Sequence, residues 1–332
     1  MKKTIFTVLA AVALVACAKE EVVTVNQEAI AFENAFVDNA TKSVNDPSFT
    51  NSNLNDFAVY GFVENAVLFD GTKVSKGITN DDLESVWKYA GTQYWIAGAQ
   101  YNFNAIAPMT NGGWTYNDED SDATSTTLSF VNNGTTDLLY ATATQEGKVS
   151  GNEMVAFSFR HVLSKVKFSF ENAYNATNAT IKVKDIVITN PHKTANVVLT
   201  GSTAWSGQTA SDLTLAFGMA TDDEATTDAK ENVEVAYAFG KTYESENERF
   251  LIPSTTYSYN VTFNVDLLVS GTLVKTYAHT VTATFAPAAG SSYDIKAVIN
   301  ASNIDPNNEQ EPIEFTVNTL PDWGTANNVD AQ

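Results

Sequence analysis

Cysteine is almost missing from this 332-residue chain, with a single thiol at position 17. No intramolecular disulfide can form, so stability has to come from buried apolar surface, which a chain this long can supply. Histidine is nearly as scarce, with His161, His192 and His279 alone. None has a second ligand at metal-site spacing, and no HExxH-like sequence occurs. His161 stands in an alternating run, where a hydrogen-bonded structural histidine is expected. A GxSxG elbow for a serine nucleophile is also missing. The two carboxylates of a glycosidase can lie far apart in sequence, but nothing singles out such a pair. Basic residues number 19 against 39 acidic ones, a net charge of −20, which argues against nucleic acid and its phosphates. Beyond the first sixteen residues no apolar run approaches the roughly 20 residues that a membrane-spanning helix needs. These absences point away from an enzyme, and they imply no cofactor.

What is present begins at the N-terminus. Lys2 and Lys3 precede an almost purely apolar run, Ile5 to Ala16, of the length and charge flank of a secretory signal. Leu14, Val15 and Ala16 stand directly before Cys17 and resemble a bacterial lipobox. That resemblance implies acylation of Cys17 and cleavage just before it, leaving residues 1–16 as a signal peptide. Two or three acyl chains, at about 0.8 kcal/mol per buried methylene, would anchor the mature protein stably. Position 18 is Ala rather than Asp, and Lys19-Glu20-Glu21 follows. An outer-membrane lipoprotein facing outward is the expectation.

The remainder reads as β-structure. Charged residues are 17% and aromatics 11%, and Thr, Asn and Ser are abundant, which suits pleated strands and their turns. "EAIAFENAFV" (Glu28 to Val37) alternates, placing Ile30, Phe32 and Phe36 on one face. A polar stretch with Pro47 follows as an exposed loop, and "FAVYGFV" opens the next strand. After a turn at Gly98, Tyr101, Phe103 and Ala105 alternate against Asn102 and Asn104. In the second half, two long alternating runs meet at Ser270-Gly271, a hairpin signal. About fourteen short strands without βα alternation predict two tandem β-sandwiches, divided near His161 to Ser164.

Two features imitate binding sites. Asp118, Asp120 and Asp122 resemble the start of a calcium loop, but Ala123 replaces its glycine and Ser129 its last ligand. A solvated acidic loop is expected there, as it is for Asp222 to Glu231. Trp87, Trp95, Trp114, Trp205 and Trp323 could stack on sugars, although tryptophans in sandwiches are more often core or edge cover.

The ordered series of lipobox, "IAF" strand, polar segment, "YWIAGAQYNFNAIAP", "LLYA", "VAFSFRHVLSKVKFSF", "FLIPSTTYSYNVTF" and "GSSYDIKAVI" resembles the fimbrillins, subunits of type V pili. The resemblance implies an all-β fold of two transthyretin-like, Greek-key sandwiches, here 43–162 and 163–332, behind a lipidated propeptide, 17–42, that carries a removable first strand. It implies a trypsin-like maturation protease, for which Lys42 is the sole basic residue between Lys19 and Lys73, so that cleavage falls between Lys42 and Ser43. The implied partners are other pilin subunits, joined by strand exchange into a surface fimbria, and a host or bacterial surface receptor. "PIEFTVNTL" alternates Ile313, Phe315 and Val317 on one face, making it the candidate donor strand. The same run is equally readable as the last strand of its own sandwich, which would suit a tip or accessory subunit that only accepts. A monomeric surface glycan-binding lipoprotein is the alternative function.

Overall fold

The computed structural model describes residues 28–37, 50, 53–64, 66–78, 85–219, 236–304 and 311–320. Cys17, Lys42, Ser43, Trp323 and the acidic run at 222–231 lie outside them. Within them the chain is all-β. The strands before residue 162 are β1 (Phe32–Val37), β2 (Asp56–Val63), β3 (Ala66–Ile78), β4 (Ser85–Tyr89), β5 (Gln100–Ala107), β6 (Trp114–Tyr116), β7 (Thr126–Val131), β8 (Leu139–Glu146) and β9 (Val155–His161). Next come β10 (Ser164–Asn172), β11 (Ala179–Ile188), β12 (His192–Leu199), β13 (Thr203–Ala210), β14 (Leu215–Phe217) and β15 (Thr242–Glu244). The chain continues with β16 (Arg249–Leu251), β17 (Tyr257–Val269), β18 (Thr272–Phe285), β19 (Ser292–Ile299), the one-turn helix α1 (Ala301–Ile304) and β20 (Phe315–Leu320). Several of these are three residues long, too short to leave a periodic pattern in sequence.

Seven strands close on themselves in the order β1-β4-β3-β2-β5-β8-β9, and three open sheets accompany them. In one of these, β13-β12-β7-β6, residues 126–131 pair with 192–199, so a hairpin from beyond the expected 162/163 division joins strands from before it. The other two, β15-β10-β19-β20 and β14-β11-β17-β18, enclose a core of Phe168, Phe170, Val261, Phe263 and Ile295 among others. Between β9 and β10 the chain passes through Val162 and Leu163, both fully buried, with no polar linker.

The closed sheet is apolar on both faces. Phe57 and Val59 of β2 point into its interior with Tyr101 and Phe103 of β5. Ala58, Tyr60 and Phe62 point outward, and meet Leu128, Phe130, Ala195 and Val197 of the overlying sheet. This second, outer core explains why "FAVYGFV" is unbroken rather than alternating. Tyr60 stacks on Tyr116 with centroids 3.7 Å apart. Arg160 ties the layers together by donating to the carbonyls of Thr200, Gly201 and Ser202 at 2.8, 2.9 and 3.2 Å.

Local chemistry accounts for the long hairpin. Ser270 and Gly271 have φ of 50° and 77°, the pair of left-handed residues that a two-residue turn of matching twist requires. Along β17, Tyr259, Val261, Phe263, Val265 and Leu267 are buried and Ser258 and Asn260 are exposed. His161 is a buried structural group whose Nδ1 lies 2.6 Å from the Asp137 carboxylate. Asp122 caps its own turn, its Oδ1 accepting from the Thr124 and Ser125 amides at 2.7 and 2.9 Å. Trp87 and Trp95 are core residues, while Trp114 and Trp205 are half-buried and donate to the carbonyls of Pro108 and Val162.

Gly61 marks the tightest approach in the inner core, because a Cβ there would lie 2.6 Å from the Phe69 ring and 3.1 Å from that of Phe103. The Gly61→Ala chain should therefore lose about 1–3 kcal/mol of stability through overpacking, read as a lower urea midpoint at unchanged slope. An unchanged midpoint would show that these rings shift freely.

Candidate functional site: the closing strand and its slot

The N-terminal segment is the piece that closes the seven-strand sheet. Its first residues are held before β1 begins. The Trp95 amide donates to the Glu28 carbonyl at 3.0 Å, and the Ile30 amide donates to that of Gln93 at 2.8 Å. The Val155 amide donates to the Ala31 carbonyl at 2.8 Å, and the Tyr89 hydroxyl to the Ile30 carbonyl at 2.8 Å. β1 then runs antiparallel to β4, with Phe32 opposite Trp87, and parallel to β9, with Phe32 opposite Val155. Without it, β4 and β9 would each present an unpaired edge.

Apolar burial supplies the hold. Ile30 and Phe32 are 1% and 2% exposed. The Phe32 ring lies among five others, with centroid distances of 5.5 Å to Tyr89, 5.6 Å to Phe69, 5.8 Å to Phe157, 6.1 Å to Phe103 and 6.5 Å to Phe57. Most of these contacts are edge-on, the arrangement that ring quadrupoles favour, and Phe157 stacks.

The structure adds Val37 to the buried side chains of the segment. Between Glu33 and Phe36 the register against β9 slips by one residue, so Phe36 stands opposite Ser158 and Val37 opposite Phe159. Such a bulge reverses the in-out alternation beyond it. Val37 is accordingly buried in the inner core, the place that strict alternation from Ile30 and Phe32 assigns to Phe36. The Phe36 side chain lies outside the described residues.

Charge contributes a hold that periodicity does not reveal. The Glu28 carboxylate accepts from the Gly151 amide at 2.9 Å, the Asn152 amide at 2.7 Å and the Asn152 side chain at 2.7 Å. These bonds, from the Asn152 amide first, hold the Glu28 carboxyl below its ordinary pKa. The donors come from the β8–β9 connection, more than 120 residues away, so only the fold brings them to Glu28.

At the other end of the chain, Ile313 is buried, and Phe315 and Val317 pack against the core that it shares with Phe168 and Phe170. β20 pairs antiparallel with β19 at the edge of its sheet, with Ile295 opposite Val317. The candidate donor run is thus the closing strand of its own sheet in the isolated chain.

The lowered pKa of Glu28 sets a pH dependence. Its carboxylate supports the closed state above the unfolded-state value, and that support is lost as pH falls through the lower folded value. The Trp95 and Val155 amides should therefore exchange with solvent about threefold faster in acid than intrinsic rates explain. The Glu28→Gln chain should show the faster exchange already at neutral pH, without further change in acid. Equal protection in both chains would remove Glu28 from the hold on β1.

A family model described as fimbrillin-like matches residues 40–323. Similar crystal structures include a protein of Bacteroides uniformis provisionally described as a cell adhesion protein, at 17% identity and TM-score 0.48, covering 90% of this chain and 99% of that one. A protein of Bacteroides ovatus with the same description shares 14% identity at TM-score 0.48, with the same coverage. No curated protein matches the chain. The family match runs from the segment after β1 past the end of β20, and the chain belongs to the fimbrillin-like family.

Proposed function

We propose that this chain is a structural subunit of a cell-surface fimbria that contributes to adhesion and assembles by protease-triggered strand exchange. Membership of the fimbrillin-like family supports the fimbrial role. The observation that carries the mechanism is the position of β1, first in sequence, buried in a core, and the closing member of a seven-strand sheet. Ile30, Phe32 and Val37 together bury side chains worth about 5–9 kcal/mol. Cleavage between Lys42 and Ser43 leaves those contacts intact but frees β1 from β2 as a separate peptide. Its departure exposes a groove between β4 and β9 lined by Phe57, Phe69, Phe103 and Phe157. Unpaired backbone groups along both edges then template another strand, the mode by which extended peptides add to sheets.

The remaining parts follow the same order. Acylated Cys17 holds the precursor at the outer membrane, facing outward, and a trypsin-like protease acts there. The incoming strand is the C-terminal run with Ile313, Phe315 and Val317, donated by another subunit after leaving its own sheet edge. The buried or partnered state of the four described tryptophans gives a glycan platform no support.

Limited trypsin treatment of the purified, unlipidated full chain tests this. Cleavage after Lys42 should be followed by denaturant-resistant ladders on gels and filaments in electron micrographs, while a Lys42→Gln chain stays monomeric. A cleaved wild-type chain that remains monomeric would overturn the proposal. In the cleaved Phe32→Ala chain, the N-terminal fragment should be retained at least a hundredfold more weakly, because truncating a buried Phe costs about 3–5 kcal/mol. Fragment release followed by size-exclusion chromatography reads this.

A further inference from the structure

Alternation alone leaves the register of an incoming strand open, because a slip of two residues returns the same face to the core. The slot needs a feature that reads one position. The Gly151 and Asn152 amides and the Asn152 side chain converge on a single carboxylate, that of Glu28. Gly151 has φ of 70°, a left-handed backbone that aims successive N–H groups at one point, as in anion-binding nests. When β1 departs, these donors lose their partner.

One other segment of the chain carries the matching pattern. Ile-x-Phe occurs twice in 332 residues, at Ile30–Phe32 and Ile313–Phe315, and each time Glu stands two residues before the Ile. On that spacing Glu311 falls on Glu28, Ile313 on Ile30, Phe315 on Phe32 and Leu320 on Val37. Pro312 falls on Ala29, where a missing N–H does no harm. The pairing with Tyr94 runs through the Glu28 carbonyl and the Ile30 amide, and the Ala29 amide has no backbone partner among the described residues. In its own chain Glu311 precedes β20 and is exposed, and its carboxylate meets no donor among the described residues. The position that the nest would read is the one that β20's own packing leaves unused.

We infer that the Gly151–Asn152 nest is a carboxylate-reading site that fixes the register of the strand entering the slot, and that its ligand there is Glu311 of a second copy of this chain. This rests on the proposed strand exchange. A strand in any other register leaves the nest empty or sets a neutral side chain on it, so the contact selects one alignment among those that alternation permits.

The test uses the full chain cleaved at Lys42 and two labelled decapeptides, residues 311–320 and the same sequence with E311Q. Fluorescence anisotropy at neutral pH should show the first binding and the second about tenfold weaker, as for loss of charge-assisted hydrogen bonds. Equal affinity for the two peptides overturns the inference and leaves strand exchange standing. Binding by neither also overturns it, and filament formation by the same cleaved chain then decides the exchange separately.

Discussion

The seating of Phe32 among Phe57, Phe69, Tyr89, Phe103 and Phe157 is the interaction on which the closed sheet depends. Those rings come from β2, β3, β4, β5 and β9, so a single side chain touches most of the strands around the closed sheet. Because β1 also pairs with β4 on one side and β9 on the other, the same residue sits where two edges would otherwise face water. Closure removes both edges at once.

The rest of the molecule is arranged so that this dependence stays local. Ile30, Phe32 and Val37 belong to the inner core alone. Among the described side chains, the outer core, where Tyr60 and Phe62 meet Phe130 and Val197, contains none from the N-terminal segment, and neither does the core around Phe168 and Phe263. β2 and β5 are therefore anchored on their second face whatever occupies the slot. Arg160 and Phe250 strengthen that anchorage. Arg160 grips the β12–β13 turn, and Phe250 enters the outer core while its amide donates to Gly134 at 2.9 Å. In the proposed exchange, two cores would hold the shape of such a subunit while the third changes its plug.

Much of this was legible in the residues themselves, and the illegible parts share one cause. The Ser270-Gly271 hairpin, the alternation of Tyr101, Phe103 and Ala105, the structural His161 and the core tryptophans all express local chemistry. Period-two patterning says which way a side chain faces but not which strand lies beside it. The bulge beyond which Val37 enters the inner core depends on β9, more than 100 residues away, and cannot be seen in "EAIAFENAFV". The shift in β11 is of the same kind. There Asp185, at φ of 54°, breaks the alternation between Val183 and Ile186 against β17. The pairing of β12 with β7 joins strands that sequence order keeps apart, and Glu28 has meaning only once Gly151 and Asn152 are beside it. One signal was present and passed over: the twice-used Glu-x-Ile-x-Phe.

The proposed protease-triggered strand exchange also has a thermodynamic condition that this architecture meets. On the proposed register Ile313, Phe315 and Leu320 take the places of Ile30, Phe32 and Val37, so the inner-core side chains exchanged are of similar size. With contacts balanced, the connection of β1 to the barrel decides the outcome. Eighteen residues separate Val37 from Asp56. A covalent linker of that order gives a segment bound at its end an effective concentration of about a millimolar, far above that of any separate subunit. Tethered β1 therefore outcompetes an equally good strand from another copy without any superior contact. Cutting the tether abolishes the advantage and leaves every contact in place, so proteolysis acts on concentration rather than on bonding. A protein whose own strand was much the better fit would stay plugged after cleavage, and one whose strand was much the worse would exchange before it. The near-match between the two ends of this chain lies between those failures.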